Sequence, residues 1–559
     1  MPRRERMSPV DTAWLRMDCP GNLMMIVGVD VFDGPCDVER LRRVLQSHLL
    51  RHLPFRSRAE LDASGAWWVE DEDFDIDQHL VRIGLPGAGG KHELQKLAGQ
   101  LAGQSLDPTK PLWQFHLVEN YDGGHALIVR IHHCIADGIA LMGVLLSMTA
   151  TSPDADDDAP PLPGRGERAG GPNSGPISGP NSGPLWAQVL KPLTDATVKA
   201  IDTTGDVATR VLHAYSAMLT DPEVASAAAN TYAHTATQIA RDAAALALME
   251  PDTPTRLKGR PGGNKVVAWN EPLGLTDVKA VGNALGCSVN DVLLSCAAGA
   301  LRGYLLDAGD RLGPDAELRA MVPVNLRPPG KPQSLGNKFG LVPLLLPIGM
   351  DDPIARVYEV QRRMNELKGG FTAVLAMVIL GASGLVPRML QKQVLDMLAR
   401  KGTAVMTNVP GPREALYMAG SRLRQMMFWV PQSGDIGMGV SILSYAGGVQ
   451  FGLVTDKKIC AQPQAIIDRF TPEFENLVHA VLLMPWDDAV PRVQAERALH
   501  STEAIARAAT HLSRREHAPT ALRGTEVAAD DAPADAPQVP PRAAPRRRQS
   551  AFAAARARK

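Results

Sequence analysis

The sequence predicts a mixed α/β (α+β) protein built as two similar layered halves with a cleft between them, and three observations predict it. The chain has 559 residues, too many for one ordinary core. Its composition breaks sharply after Thr151 and again near His517. On both sides of the first break, strand-like and helix-like segments alternate. The expected organisation is a first half over 1–150, a Pro/Gly/Ser-rich disordered linker over 151–185, a helical connector over 186–260, a second half over 261–495, and a C-terminal helix with a disordered basic tail over 496–559.

Within the first half, "NLMMIVGVDVF" and "ALIVRIHH" read as strands, while "DVERLRRVLQSHLLRH" and "HELQKLAGQLAGQ" carry helical spacing. The stretch "SPDADDDAPPLPGRGERAGGPNSGPISGPNSGP" cannot bury enough apolar surface to order itself. Between Leu185 and Leu257, Val189, Leu190, Leu193, Val198 and Ile201 recur three or four apart, which predicts helices broken at Pro222 and Pro251. The second half repeats the mixture. "NKVVAWNEPLG" and "ELRAMVPVNLRP" read as strands, "LTDVKAVGNALG" and "VNDVLLSCAAGALRGYLLDAG" as helices, and Gly447-Gly448 in "GVSILSYAGGVQFGLVTD" as a hairpin turn.

Composition excludes several classes. With 59 basic against 60 acidic residues there is no general electrostatic case for nucleic acid. Six scattered cysteines form no Cys-x-x-Cys pair, which fits reduced thiols and cytoplasmic residence. "MPRRERMSPVDTAWL" lacks the apolar segment of a secretory signal. The uncharged run "FTAVLAMVILGASGLV" (Phe371 to Val386) is shorter than the roughly 20 apolar residues of a bilayer span, so a buried or interfacial helix is expected there. The wholly basic "PRAAPRRRQSAFAAARARK" can either rest on anionic lipid or remain a solvated extension. No Gly-x-Ser-x-Gly elbow occurs, and "GRPGGNK" fails the Walker spacing.

One stretch concentrates chemistry. In "HALIVRIHHCIADGIALMGVLLSMT" an apolar strand delivers His132 and His133, and a helix is predicted to start near Asp137, whose carboxylate can cap the first free N–H groups. Alternation along a strand sends the two imidazoles to opposite faces, so joint metal ligation is disfavoured and no metal or other cofactor is expected. One imidazole can then face a cleft as a proton acceptor, because histidine titrates near working pH. Most of the other twelve histidines are expected to be ordinary core or surface residues.

The sequence resembles the bacterial wax ester synthase/acyl-CoA:diacylglycerol acyltransferases, within the larger group of condensing acyltransferases that carry His-His-x-x-x-Asp-Gly. "MSPVDTAWL", "LDPTKPLWQFHLVEN", "SVNDVLLSCAAGALRGYL", "MVPVNLRP", "LGNKFG", "TNVPGP" and "SILSYAGGVQFGLVTD" all resemble that family's blocks, in its order. The resemblance implies two chloramphenicol-acetyltransferase-like halves with an active-site channel between them. It implies His133 as the base, His132 assisting, Asp137 structural, Gly138 beside the substrate, Asn290 and Asp291 near the reaction centre, and Pro111, Leu112 and Trp113 shaping the channel. The substrates implied are acyl-CoA and a diacylglycerol or fatty alcohol, handled at the inner membrane or at lipid inclusions. The family often has Arg just before the strand that here begins "NKVVAW", and the insertion after 151 is unusually long.

Other readings stay open at this level. Asn290 can equally cap the helix that follows it, and Trp113 and Phe115, alternating on one strand, can equally be core. Asp137 wants a cation, for which Arg327 is one candidate. A condensation domain acting on carrier-bound donors shares the histidine motif, and a non-catalytic lipid-surface protein would use the 371–386 run and the basic tail.

Overall fold

A computed structural model describes residues 3–62, 65–155, 246, 249–326, 335–368, 372–384, 388–389, 391–392 and 399–484. The chain divides into two units, Met1–Ala504 and Ile505–Lys559, the second of which lies outside the described residues. Also outside them fall residues 156–185 of the expected linker, nearly all of the expected connector, Arg327, and the basic tail.

In chain order the first half contributes β1 (Arg4–Arg6), α1 (Pro9–Met17), β2 (Met25–Phe32), α2 (Val38–Val44), β3 (Ser57–Asp62), β4 (Gly65–Glu70), β5 (Leu80–Ile83), α3 (Lys91–Ala102), β6 (Trp113–Tyr121), β7 (Gly124–His132) and α4 (Gly138–Ser147). The second contributes β8 (Lys265–Trp269), β9 (Leu273–Gly274), α5 (Leu275–Leu285), α6 (Val289–Asp307), β10 (Leu318–Asn325), β11 (Phe339–Leu346), α7 (Pro353–Lys368), α8 (Thr372–Ser383), β12 (Ala404–Pro410), β13 (Tyr417–Met418), β14 (Ser421–Trp429), β15 (Met438–Tyr445), β16 (Gly448–Asp456) and α9 (Gln464–Leu482).

Two large mixed sheets carry the two halves. The first has strand order β13-β14-β2-β7-β6-β5, and the second runs β11-β10-β12-β15-β16-β8 with β9 beside β16. The sheets therefore do not divide at residue 261 as the sequence suggests. Strands β13 and β14 lie far down the chain, yet β14 pairs antiparallel with β2, Met427 opposite Val29 and Phe428 opposite Gly28. A linear division misses this because an edge strand is recruited by register and burial, not by proximity in sequence.

Most elements sit where periodicity places them. The expected helix "DVERLRRVLQSHLLRH" is α-helical only over Val38–Val44 and then widens into a π-turn over Leu45–Leu49. The hairpin turn falls one residue earlier than expected. Ala446 and Gly447 take φ of 47° and 82°, and Tyr445 pairs with Gly448, which is the geometry that matches strand twist in a two-residue turn.

Three main hydrophobic clusters result. One lies inside the second half, around α6, α9 and the face of the second sheet, with Leu301, Phe451 and Phe470 fully enclosed. A second lines the α3 side of the first sheet and takes in Val267 and Trp269 of β8. The third, on the opposite side of the first sheet, is shared between halves: Trp14, Ile131 and Ala136 pack with Phe339, Met377, Phe428, Leu443 and Tyr445.

The apolar run near 371 forms the twelve-residue α8, buried through Ala373, Met377 and Leu380. It sits tight on β11, since a Cβ at Gly340 would collide with the Ala373 carbonyl. No single helix among the described residues is long and apolar enough to cross a membrane.

Candidate active site

Strand β7 ends at His132 and α4 begins at Gly138, with Asp137 in extended geometry as its cap. Alternation works as expected. Val129 and Ile131 belong to the cluster shared between the halves, whereas Ala126 and Ile128 belong to the α3-side cluster. His133 continues the first face and His132 the second.

His133 is 2% exposed. Its ring stacks on Trp14 of α1, centroids 4.1 Å apart at 17°, and leans on Phe339 of β11 at 5.5 Å. Its backbone is held on both sides: the N–H donates to Met24 O at 2.8 Å, and the carbonyl accepts from Asn337 Nδ2 at 2.8 Å. The ring nitrogen Nδ1 is buried without a hydrogen-bond partner among the described residues. Burial pushes the imidazole down to about 4, against the pull of the Asp137 carboxylate and the neighbouring Asn337 side chain. At neutral pH the ring is therefore uncharged.

His132 is fixed differently. Its Nδ1 accepts the Cys134 N–H at 3.1 Å, which assigns the ring proton to Nε2, and Asp18 Oδ1 lies 3.7 Å from that nitrogen. Its backbone N–H donates to Leu112 O at 2.9 Å, so Leu112 backs the pair through its main chain. No group of three or more metal-ligating side chains occurs among the described residues.

Asp137 is a structural hub. One oxygen accepts from Ala140 N at 3.0 Å, capping α4, and the other accepts from Lys338 N at 2.9 Å, tying the histidine turn to the segment before β11. The same segment bridges Ala136 to Gly336. The first two helical N–H groups, those of Gly138 and Ile139, have no acceptor among the described residues, as expected at a helix start. A Cβ at Gly138 would meet only Phe428 at 3.7 Å, so packing does not require the glycine.

Sequence reasoning missed the clamp beside this turn. Asp11 Oδ1 accepts both Asn337 Nδ2 at 2.8 Å and Asn337 N at 3.2 Å, and Asn337 in turn holds the His133 carbonyl. Asp11 is buried and pushed up to about 6 by that burial, with the Asn337 and Ser8 bonds pulling the other way. The only signal was indirect, since Asp11 and Trp14 sit in "MSPVDTAWL", and Asn337 and Phe339 in "LGNKFG".

The remaining expected site residues make contacts of their own. Ser288, not Asn290, caps α6, and Asp291 completes the capping box by accepting Ser288 N at 2.9 Å and Ser288 Oγ at 2.6 Å. Asn290 instead pairs with Asn408 of β12 at 2.5 Å. No hydrogen bond, ion pair or ring contact among the described residues joins Asn290 or Asp291 to His133. Trp113 is core: its Nε1 donates to Phe55 O at 2.7 Å and His79 stacks on its ring at 4.5 Å. The Pro111 carbonyl receives the Trp113 N–H at 2.8 Å, a tight turn entering β6. Of these three residues Leu112 backs His132 directly, and the Trp113 ring is packed at its edge by Phe55 O and on one face by His79.

An imidazole on a strand-to-helix turn, enclosed by elements from both halves, defines a two-half fold with one candidate base at the seam. Residues 7–293 match the family profile of the wax ester synthase/diacylglycerol acyltransferase catalytic domain, and residues 335–478 that of the WS/DGAT C-terminal domain. A putative diacylglycerol O-acyltransferase of Mycobacterium tuberculosis is 27% identical over 499 residues, covering 85% of this chain and 90% of that protein. A second, a probable diacylglycerol O-acyltransferase of the same organism, is 27% identical over 498 residues, covering 85% and 99%. Among solved structures, the wax ester synthase/diacylglycerol acyltransferase from Marinobacter aquaeolei VT8 superposes with a TM-score of 0.58 at 21% identity over 86% of this chain and 100% of that one. The first condensation domain of the CDA synthetase does so at 0.52 and 16%, over 85% and 96%. The chain belongs to the wax ester synthase/diacylglycerol acyltransferase family.

Proposed function

We propose that this protein transfers a fatty acyl group from acyl-CoA to the hydroxyl of a diacylglycerol or a long-chain alcohol, with His133 as general base. The observation that carries the reading is the uncharged His133 ring at the seam of the two halves, one turn from the free N–H groups of Gly138 and Ile139, within the segment that matches the family's catalytic domain. In the reaction the acceptor hydroxyl gives its proton to His133 as its oxygen bonds to the thioester carbonyl carbon. The resulting oxyanion is stabilised by N–H donors, for which the start of α4 is the candidate. Collapse breaks the carbon–sulfur bond, and the CoA thiolate takes the proton back from the imidazolium. No covalent enzyme intermediate is required.

The acceptor is tested by a panel with palmitoyl-CoA, comparing hexadecanol with diolein and following free CoA thiol. His133→Ala is expected to fold and to lose about 10² to 10⁴ in turnover, the usual worth of a positioned base. Substantial residual turnover removes the assignment. Likeness to condensation domains supports a second donor class, and an acyl-carrier thioester tried beside palmitoyl-CoA separates the two. Working on water-insoluble acceptors, the protein is proposed to act from the cytoplasm at the inner membrane or at lipid inclusions, a reading supported by half-exposed Leu375, Val378 and Ile379 on α8. Lipid binding without any thiol release would instead favour a non-catalytic surface role.

A further inference from the structure

Away from the histidine turn, a cleft of about 1080 Å³ opens between α3, the start of β8 and the turn from β16 into α9. It straddles the halves, since α3 covers the first sheet while β8, β16 and α9 belong to the second. Gly99 allows that close approach, because a Cβ there would lie 2.9 Å from the Lys265 carbonyl oxygen.

The wall of the cleft has a distinctive chemistry. Lys96, Lys265 and Lys457 line it from three elements, with His92 on α3, against a single carboxylate, Asp468. That carboxylate already accepts from Gln464 at 2.7 Å. Neither Lys96 nor Lys457 has an ion-pair partner among the described residues. Lys265 is half-buried, donates to Gln432 Oε1 at 3.0 Å, and is held below its ordinary pKa by that burial. Six carboxamides make up most of the remaining polar wall, among them Gln100, Gln104 and Asn264. Ammonium groups suit phosphate oxygens, and carboxamides suit a ligand rich in amides and ring nitrogens.

One stretch of chain runs from the edge of the cleft to the histidine turn. Gly263, next to Asn264, lies against the segment that precedes β2, where a Cβ would come 3.0 Å from Pro20 O. Four residues on, the Met24 carbonyl receives the His133 N–H. Residues 20–24 thus lead from beside the lysine-lined cleft to the backbone of His133, whose ring faces the other side of the first sheet.

We propose that this cleft binds the phosphorylated nucleotide end of the acyl-CoA donor, leaving the amide-bearing arm to follow residues 20–24 toward His133. This rests on the acyl-CoA reading above. Phospholipid headgroups and free phosphate offer the same anionic chemistry, so the experiment separates these sources.

The test uses the full chain with Lys96→Glu and Lys457→Glu, both exposed positions, singly and together. Steady-state kinetics with one alcohol acceptor compare decanoyl-CoA with S-decanoyl-N-acetylcysteamine, a donor that has the thioester but no nucleotide. The ratio of kcat/KM for the two donors is expected to fall about tenfold or more per reversal, the usual worth of a charge-assisted contact. Adenosine 3′,5′-bisphosphate should compete with decanoyl-CoA in the wild type and more weakly in the variants, whereas adenosine should not compete. An unmoved ratio, equal losses with both donors, or competition by inorganic phosphate or phosphatidylglycerol vesicles but not by the bisphosphate overturns the assignment. Should the wild type turn over neither donor, the acyl-CoA reading itself falls; turnover of both with an unmoved ratio removes the cleft alone.

Discussion

The two sheets are built on different terms. The second draws all its strands from its own half and closes over a private core, in which Phe470 stacks on Phe451 at 4.1 Å. The first borrows β13 and β14 from beyond residue 400 and shares its main core with Phe339, Met377 and Tyr445. The histidine turn sits in the shared region. A site whose walls come from distant parts of the chain exists only once both halves have docked, so its geometry depends on the seam more than on either core.

The sharpest break of this contrast is in stability. Phe470→Ala should cost about 3–5 kcal/mol in unfolding free energy by urea titration, the range for truncating a buried aromatic, while kcat of the folded enzyme stays close to wild type. A comparable loss of kcat would mean the private core also sets the site.

Next comes the pH dependence of the seam. Asp11 titrates at about 6 in the fold against an ordinary 3.8, so the fold prefers its protonated form. Its contribution is fully present below pH 3.8 and is lost as pH rises through 6. Asp11→Asn keeps an oxygen to accept from Asn337 and removes the charge. It should therefore be more stable than wild type at pH 7.5 by on the order of 2–3 kcal/mol, with the gap closing below pH 4. His133 works in the opposite sense, losing stability for the fold as pH falls from 6.5 toward 4, but it does so in both proteins and cancels from the difference. A gap that does not change with pH sinks the linkage.

Smaller is the expected effect of Asn337→Ala, which removes the side-chain Nδ2 that donates to Asp11 and to the His133 carbonyl and leaves the backbone N–H to Asp11 in place. About 1–3 kcal/mol of stability should go, together with a roughly tenfold fall in kcat, measured at saturating donor. Loss of stability with kcat intact would reduce the clamp to a fastener. Smallest is Gly138→Ala, for which unfolding free energy should shift by less than about 1 kcal/mol, since alanine suits a helix and the nearest atom would lie 3.7 Å away. A fall in kcat/KM without that penalty would show that substrate uses the space beside Gly138, and an unchanged value would remove this residue from the site.

Local structure was legible wherever neighbouring residues decide it. The alternating run of β7, the Asp137 cap and the opposite facing of His132 and His133 all follow from contacts within a few positions, as does the helix Val289–Asp307. Asn290 shows the limit even at short range: capping preference allowed it, but Ser288 two residues earlier makes the bond and Asp291 returns it. Trp113 shows another, because strand alternation offers two faces and cannot say which of them is core.

By itself, then, the chain determined its elements, the face on which each histidine emerges, and, through the resemblance of its ordered blocks, its family. Tertiary structure alone decided that β14 would cross to the first sheet, that Trp14 would stack on His133, and that Asp11 would meet Asn337 across 326 positions. The physical reason is the range of the forces involved. Backbone preferences and capping bonds act over one or two turns of chain, whereas burial and close packing reward whichever distant surfaces fit, and no local pattern encodes that choice.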